Sequence, residues 1–207
     1  MKRELKQFIE FKKIFRFEYK DLVENEQGVF WNDVCIEDSE NNKVFETEDF
    51  INIGYNAKNS ISKILSNLYP YSFKFRGKKV ASIEGVLQGA KYKDKKIQNA
   101  ILSYSGINAY HTRAIDNANS WRDSGILYWQ GKPMKRDSIE YEQFVDELYL
   151  SASKNVLYKN ALLSTGEKYL LHHIGCPDKT QTVLTRYEYE RELATLRAFL
   201  KMKDKSN

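Results

Sequence analysis

Apolar residues recur along most of this chain at the three- and four-residue spacing of amphipathic helices, which bury one stripe and leave the rest wet. Ile83, Val86, Leu87 and Ala90 make one such stripe, with Ser82 placed to cap it. Tyr141, Phe144, Val145, Leu148, Tyr149 and Ala152 make a second, preceded by Asp137 and Glu140 in a D-x-x-E capping pattern. Asn155 caps a short third helix that runs to Leu163 and stops at Gly166. Thr185 and Glu188 repeat the capping logic ahead of Tyr189, Leu193, Leu196 and Leu200.

The two-residue period of a half-buried strand appears mainly near the start. There Phe15, Phe17 and Tyr19 alternate with Arg16, Glu18 and Lys20. The stretch GVFWNDVCI (28–36) is also rich in β-formers, so residues 1–50 read as a short helix or strand followed by a hairpin. Residues 51–80 read as loop with short extended pieces and a turn at Gly77, and Tyr169–Ile174 as a short strand. The expected fold class is therefore α+β: a predominantly helical single domain with a small β element and an N-terminal β-rich extension. The expected boundary falls near residue 50, with the extension at 1–50 and the main domain at 51–203.

Charge sharpens that boundary. The net charge of +5 divides into +4 over residues 1–20, −9 over 21–50 and +10 over the remainder. A basic body suits an anionic ligand such as a nucleotide, a phosphorylated sugar or nucleic acid. No apolar run approaches a membrane span, and MKRELKQFIEFKK lacks the apolar core and cleavage site of a signal peptide, so a cytoplasmic protein with no membrane partner is expected. Two cysteines, Cys35 and Cys176, are too few for a disulfide framework.

The common catalytic patterns are missing. There is no phosphate-binding G-x-x-x-x-G-K-[ST] loop, no G-x-G-x-x-G, no H-E-x-x-H, no C-x-x-C and no G-x-S-x-G. His172 and His173 are adjacent and on a strand would face opposite ways, so they do not chelate one metal together. What remains is a polar stripe on the helix ASIEGVLQGAKY (81–92). Glu84, Gln88 and Lys91 stand at i, i+4 and i+7, along one edge of its buried face. An ordinary boundary helix carries such an edge too, and spacing alone favours that plainer reading.

Two further segments carry candidate chemistry. In LYWQGKPMKRDS (127–138), Tyr128 and Trp129 offer flat faces for a base, and Lys132, Lys135 and Arg136 can reach phosphate oxygens. The plainer alternative makes Trp129 a core aromatic. In KILSNLYPYSF (63–73), Ser66, Asn67 and Tyr69 offer hydrogen-bonding groups beside the turn-forming Pro70.

Taken in order, LSNLYP (65–70), SIEGVLQGAKY (82–92), YWQGK with RDSIEYEQFVDELY (128–149), NALLSTGEKYLLHHIG (160–175) and TVLTRYEYERELATLR (182–197) resemble the NADAR superfamily, which includes the YbiA-like proteins. The resemblance spans about 140 residues from Gly54 to Leu200, leaving 1–50 outside it. It implies a YbiA-like fold and hydrolysis of an N-glycosidic bond, with no metal and no cofactor. Some members of the family act on phosphoribosylated intermediates of riboflavin synthesis. Others remove ADP-ribose from guanine in nucleic acid, opposing toxins that attach it.

On this resemblance Glu84 is the catalytic glutamate. Gln88 and Lys91 stand behind it, Ser66, Asn67 and Tyr69 face it, and Trp129 and Arg136 sit at the ligand. Gly85 follows Glu84 where many relatives have His. HHIGCPDKTQTVLT (172–185) replaces the W-G-x-G stretch of the riboflavin-type proteins. That replacement, with the basic body, points to an ADP-ribosylated nucleic acid or an ADP-ribose-containing small molecule as partner. The alternatives are a phosphoribosylated small-molecule substrate and a non-catalytic ADP-ribose or nucleic-acid binder.

Overall fold

Six of the helices described below begin at a capping side chain, from Asn59, Ser82, Asp94, Ser138, Asn155 and Thr185, and most of their buried stripes converge on one core. The computed structural model describes residues 2–15, 50–114, 118–172 and 174–205. Helix α1 (residues 2–15) opens the chain. It is followed by β1 (Phe50–Asn52), α2 (Ser60–Leu65) and a hairpin of β2 (Phe73–Phe75) and β3 (Lys78–Val80). Next come α3 (Ile83–Gly89), α4 (Lys95–Leu102), α5 (Gly106–His111) with a 3₁₀ turn at Thr112–Ala114, and α6 (Trp121–Ser124). A second hairpin, β4 (Ile126–Trp129) and β5 (Lys132–Lys135), leads into α7 (Ile139–Ala152) and α8 (Val156–Ser164). Strand β6 (Tyr169–Leu171) and the long α9 (Arg186–Lys205) complete the order.

The β structure is three two-stranded pieces, as a mainly helical α+β domain requires. β1 pairs in parallel with β6, Phe50 opposite Tyr169, and the two hairpins are antiparallel. Both hairpins turn through two residues of positive φ, Arg76–Gly77 (46° and 80°) and Gln130–Gly131 (49° and 80°). This is the turn whose twist matches that of the strands, and glycine fills its second position at no steric cost. The expected turn at Gly77 is thus present.

Ser82, Asn155 and the Thr185–Glu188 pair cap their helices as expected. Ser82 Oγ accepts from Gly85 N at 3.0 Å, Asn155 Oδ1 from Leu157 N at 3.0 Å, and the Thr185 and Glu188 side chains exchange backbone bonds. Three expectations are corrected. Residues 60–65 are helical, capped by Asn59, because Ile61, Ile64 and Leu65 pack inward on a helix too short for its period to show against a loop-like composition. The cap of α7 is Ser138, one residue later than expected. Asp137 instead takes a left-handed conformation (φ 72°) and pairs with Arg136 and Lys179. The strand at 169–174 ends at Leu171. Of the N-terminal β expectation, Phe15 lies at the end of described helix, while Phe17, Tyr19 and the 28–36 stretch fall outside the described residues.

Helix α1 shares the main core. Phe8 is fully buried and meets Phe199 of α9 edge-on, and Phe11 meets the same ring. Lys12 reaches past them to Asp146 of α7 and Glu192 of α9, an ion trio shielded from water. Every residue of α3 is buried, with α4 and α5 lying against it. The Gln98 amide, itself fully buried, donates to Gly89 O (2.9 Å) and Tyr128 O (3.0 Å) and accepts from Gln130 N (2.7 Å). It thereby ties the end of α3 to the second hairpin. At the other end, α5 comes so close to the 65–69 loop that a Cβ on Gly106 would stand 2.1 Å from Leu68 O.

Two variants follow from this packing. Gly106→Ala must push backbone away from backbone and is expected to cost about 2 kcal/mol or more in urea denaturation, whereas Gly54→Ala, with open space at its Cβ, leaves the midpoint essentially unmoved. Phe8→Ala is expected to cost about 3 kcal/mol in the same experiment, and an unchanged midpoint would mean that α1 is not part of the core.

Candidate active site

Helix α3 carries Glu84 and Gln88, with Lys91 in the turn that follows it, and all three residues are buried, each 9% exposed. Gln88 Nε2 donates to Glu84 Oε1 at 2.7 Å, the i,i+4 contact expected from the spacing. Its other amide atom, Oε1, is buried and has no partner, an acceptor left open between the carboxylate and the ammonium.

The loop before α3 closes over the start of this edge. Glu84 N donates to Asn67 O at 3.0 Å, and Ser66 Oγ accepts from Leu68 N at 3.3 Å. Tyr69 N returns to Ser66 O at 2.9 Å. Two tyrosines from distant helices hold the loop. Tyr149 of α7 donates to Asn67 Oδ1 (2.8 Å) and Tyr189 of α9 donates to Leu65 O (2.6 Å), their rings 5.9 Å apart. The structure thus joins Asn67 to the start of α3 through its backbone and Glu84 to Gln88 through their side chains, while Ser66 bonds within its own loop and the Tyr69 ring lies against Tyr71.

Electrostatics in that neighbourhood are set by dehydration. Burial raises the Glu84 carboxyl above its usual value, with the Gln88 hydrogen bond and the positive charges of Lys91 and Arg113 pulling it back. Its place in the first turn of α3 also favours the ionised form. Burial pulls Lys91 down to about 8; Glu84 opposes this, and the repulsion of Arg122 and Arg113 adds to it. Neither arginine drew notice in the sequence, because nothing in the spacing of residues 113 and 122 ties them to position 91.

Trp129 and Arg136 are placed differently. Trp129 is a core aromatic, its ring edge-on to Phe75 at 4.8 Å and tilted against Phe144 at 5.8 Å. Arg136 is spent on Asp137 (2.9 Å), Glu188 (2.6 Å) and the Tyr141 ring, 4.2 Å from its centroid. Both Glu188 and Tyr141 border a shallow surface recess that also takes in Lys12, Arg191 and Glu192, and none of the Glu84 group lines it. The polar edge and that recess are therefore separate features, and the buried polar edge is the better candidate because its groups are dehydrated and incompletely partnered.

Another buried acid, Glu190, was not visible in the sequence. Glu190 accepts from His172 N at 2.6 Å, and burial lifts its carboxyl to about 7. His172 Nδ1 lies 2.9 Å from Ile53 O, and its ring stands edge-on to Tyr189. His173 falls outside the described residues. Among the described residues no set of three or more His, Cys, Asp or Glu side chains gathers as metal ligands, and no helix is long and apolar enough to cross a membrane.

With this geometry in view, the sequence pattern of the family of bacteriophage protein GP30.3 matches residues 59–198, the span that contains the whole polar edge. The fold is similar to that of the Escherichia coli protein YbiA, solved by NMR. The TM-score is 0.52 at 16% identity, over 78% of this chain and 91% of that one. No curated protein matches the sequence significantly. The YbiA-like fold expected from the sequence motifs is thus present.

The Lys91 ammonium is expected to titrate near pH 8 by NMR of its side chain. Because Glu84 holds that proton on, Glu84→Gln moves the midpoint lower still. The sign for stability follows. Between about pH 8 and the ordinary lysine value of 10.5, the unfolded chain carries a proton that the folded one has lost, so stability rises with pH across that window. A Lys91 midpoint above 10 would show that the site is hydrated.

Proposed function

Since the chain belongs to the bacteriophage GP30.3 family and carries a dehydrated glutamate on the central helix of a YbiA-like fold, we propose that it is an N-glycosidase that removes ADP-ribose from a modified nucleobase, guanine in DNA or RNA. In this reading it reverses toxin-type ADP-ribosylation. The observation that carries it is Glu84 itself, buried and flanked by an amide and a cation rather than paired off in a closed salt bridge.

Breaking a ribosyl C–N bond passes through a sugar cation while negative charge gathers on the departing base. A carboxylate at low hydration stabilises that cation far more than one in bulk water does, and its raised basicity suits it to accept a proton from the attacking water. The water oxygen joins the anomeric carbon, one of its protons passes to Glu84, and a proton is returned to the base nitrogen as the C–N bond breaks. Lys91 and Arg113 keep Glu84 ionised as it waits. Ser66, Asn67 and Tyr69 close the near side of the site, and Tyr149 and Tyr189 hold that loop in place. Trp129 supports the second hairpin from within the core, and Arg136 braces the start of α9, so both act on the site through its walls. A base inside a duplex cannot reach so enclosed a group, so single-stranded or flipped substrate is preferred.

Incubation with ADP-ribosylated guanine DNA and, separately, with a phosphoribosylated riboflavin-pathway intermediate, followed by mass spectrometry, tests the reading. Release of ADP-ribose from the DNA is the expected result. Cleavage of the second substrate alone would assign the small-molecule activity instead, and cleavage of neither would leave a binding protein. Glu84→Gln is expected to lower turnover by about a hundredfold or more while keeping ligand affinity, and wild-type rates in that variant would remove Glu84 from the chemistry. The rate should rise with pH as Glu84 ionises above the ordinary carboxylate value and fall near pH 8 as Lys91 discharges. Lys91→Arg, which stays charged, abolishes the alkaline fall.

A further inference from the structure

The turn between α3 and α4 meets the tip of the second hairpin on an exposed surface, and the chain is nearly free of acids on both sides of that meeting. From Gly85 to Ala114 the only acid is Asp94, and none occurs between Asp123 and Asp137. Asp94 is committed to capping α4, where its carboxylate accepts from Lys96 N at 2.6 Å and from Ile97 N at 3.0 Å. Around it stand Lys93, Lys95 and Lys96, all exposed.

The hairpin brings a fourth lysine to this turn. A Cβ on Gly131 would stand 3.0 Å from Lys95 Cε and 3.8 Å from Lys93 O, so the tip rests on the Lys95 stem. Gln130 Nε2 donates to Asn99 Oδ1 at 3.1 Å and to Gln98 Oε1 at 2.9 Å, which clamps the same tip to α4. Lys132 follows directly, opposite Trp129 in the register of the hairpin and exposed. On the outward side of β4 lies Tyr128, half-buried, its backbone N held by Ala90 O at 2.7 Å.

Among the described residues no acid forms an ion pair with any of these four lysines. On other faces lysines are matched: Lys13 to Glu10, Lys154 and Lys203 to Glu4, Lys159 to Asp204 and Lys201 to Glu167. Four ammoniums gathered by packing around one committed carboxylate repel one another and gain from an anion laid across them. Ammoniums on flexible stems lack the planar fork of arginine, so they suit a chain of phosphates better than one phosphate held in fixed geometry. The tyrosine beside them offers a face on which a base can stack.

We propose that this surface binds a single strand of nucleic acid, with successive phosphates along Lys93, Lys95, Lys96 and Lys132 and a base against Tyr128. The surface begins two residues past Lys91, where the buried polar edge ends, so the strand it holds is the one that flanks the base presented to Glu84. That last placement rests on the glycosidase reading; the surface itself does not.

The test is binding of a labelled, unmodified oligothymidylate about ten nucleotides long to the full chain, followed by fluorescence anisotropy at several salt concentrations. Four phosphate contacts predict that log affinity falls against log salt with a slope of about −3. Lys93→Gln, Lys95→Gln, Lys96→Gln and Lys132→Gln combined should weaken binding about tenfold or more at low salt and bring the slope close to zero. Lys2→Gln, Lys6→Gln, Lys74→Gln and Lys79→Gln combined remove the same charge from other exposed positions and should change neither. Tyr128→Leu should weaken binding about fivefold or more at an unchanged slope, and Tyr128→Phe should restore it.

Equal losses in the two quadruple variants would overturn the proposal, because net charge and not this surface would then be at work. Poly-glutamate or anionic phospholipid vesicles bound as tightly as the oligonucleotide would overturn the choice of partner, and equal binding of a duplex of the same length would overturn the single strand. In turnover of ADP-ribosylated DNA, loss of the four lysines should raise KM where the control variant does not. Oligonucleotide binding that depends on the four lysines, in a protein that cleaves no N-glycoside, would support the surface and reject the glycosidase reading. Cleavage of that DNA with a KM indifferent to the four lysines would retain the glycosidase reading and reject the surface.

Discussion

The constraint on which the rest depends is the burial of one carboxylate. A lone glutamate taken out of water sheds its charge unless neighbours hold it, and the protein supplies only partial compensation: one amide hydrogen bond, the positive charges of Lys91 and Arg113 and the start of a short helix. Full compensation would have made Glu84 a structural ion pair. The contrast stands within the same molecule, where Lys12 is bonded by both Asp146 and Glu192 and joins α1 to α7 and α9. There a buried charge fixes helices together. At Glu84 the shortfall leaves a group that still gains from a cation arriving beside it.

Holding that group unpaired requires its surroundings to be rigid, and the core supplies this from both ends of α3. Asn67 O, fixed by Tyr149, caps the Glu84 backbone; Gln98 ties Gly89 to the second hairpin. The anchors come from α7, α9 and α4, so helices that contribute none of the polar edge's own side chains govern its geometry. This explains the otherwise extravagant use of buried tyrosine hydroxyls, each pushed far from ionisation by burial and each serving as a neutral donor. Held by such donors, the loop keeps the Asn67 carbonyl turned toward α3 without adding charge.

Much of this was legible in the sequence wherever the information was local. The Ser82 cap, the i,i+4,i+7 edge and the Thr185–Glu188 box all depend on residues within one or two turns, and periodicity reports them directly. The ordered motifs carried the fold as well. What stayed hidden depends on contacts across the chain. Tyr149 and Tyr189 looked like core residues because their ring stripes are core, and only their hydroxyls, meeting residues 82 and 124 positions away, reach the site. Arg113 and Arg122 carried no pattern at all. Short elements such as α2 and the second hairpin escaped because a six-residue helix or a four-residue strand has too few turns for its period to stand out.

Segment 127–138 shows how one composition admits two arrangements. Aromatic and basic residues side by side suggest a stacking platform with phosphate ligands, and composition alone does not separate that from a hairpin that buries its aromatic face. The strand alternation separates them: Leu127 and Trp129 face inward while Tyr128 stays half-buried, so the indole joins Phe75 and Phe144. Arg136, past the end of β5, is then drawn to the acidic first turn of α9. The cations that reach the polar edge come from elements packed directly on α3 and on the strand beside it. Electrostatic reach follows packing rather than the local density of charge in the sequence, and that is why two unremarkable arginines, Arg113 and Arg122, act on the Lys91 ammonium while Arg136 is drawn to Glu188.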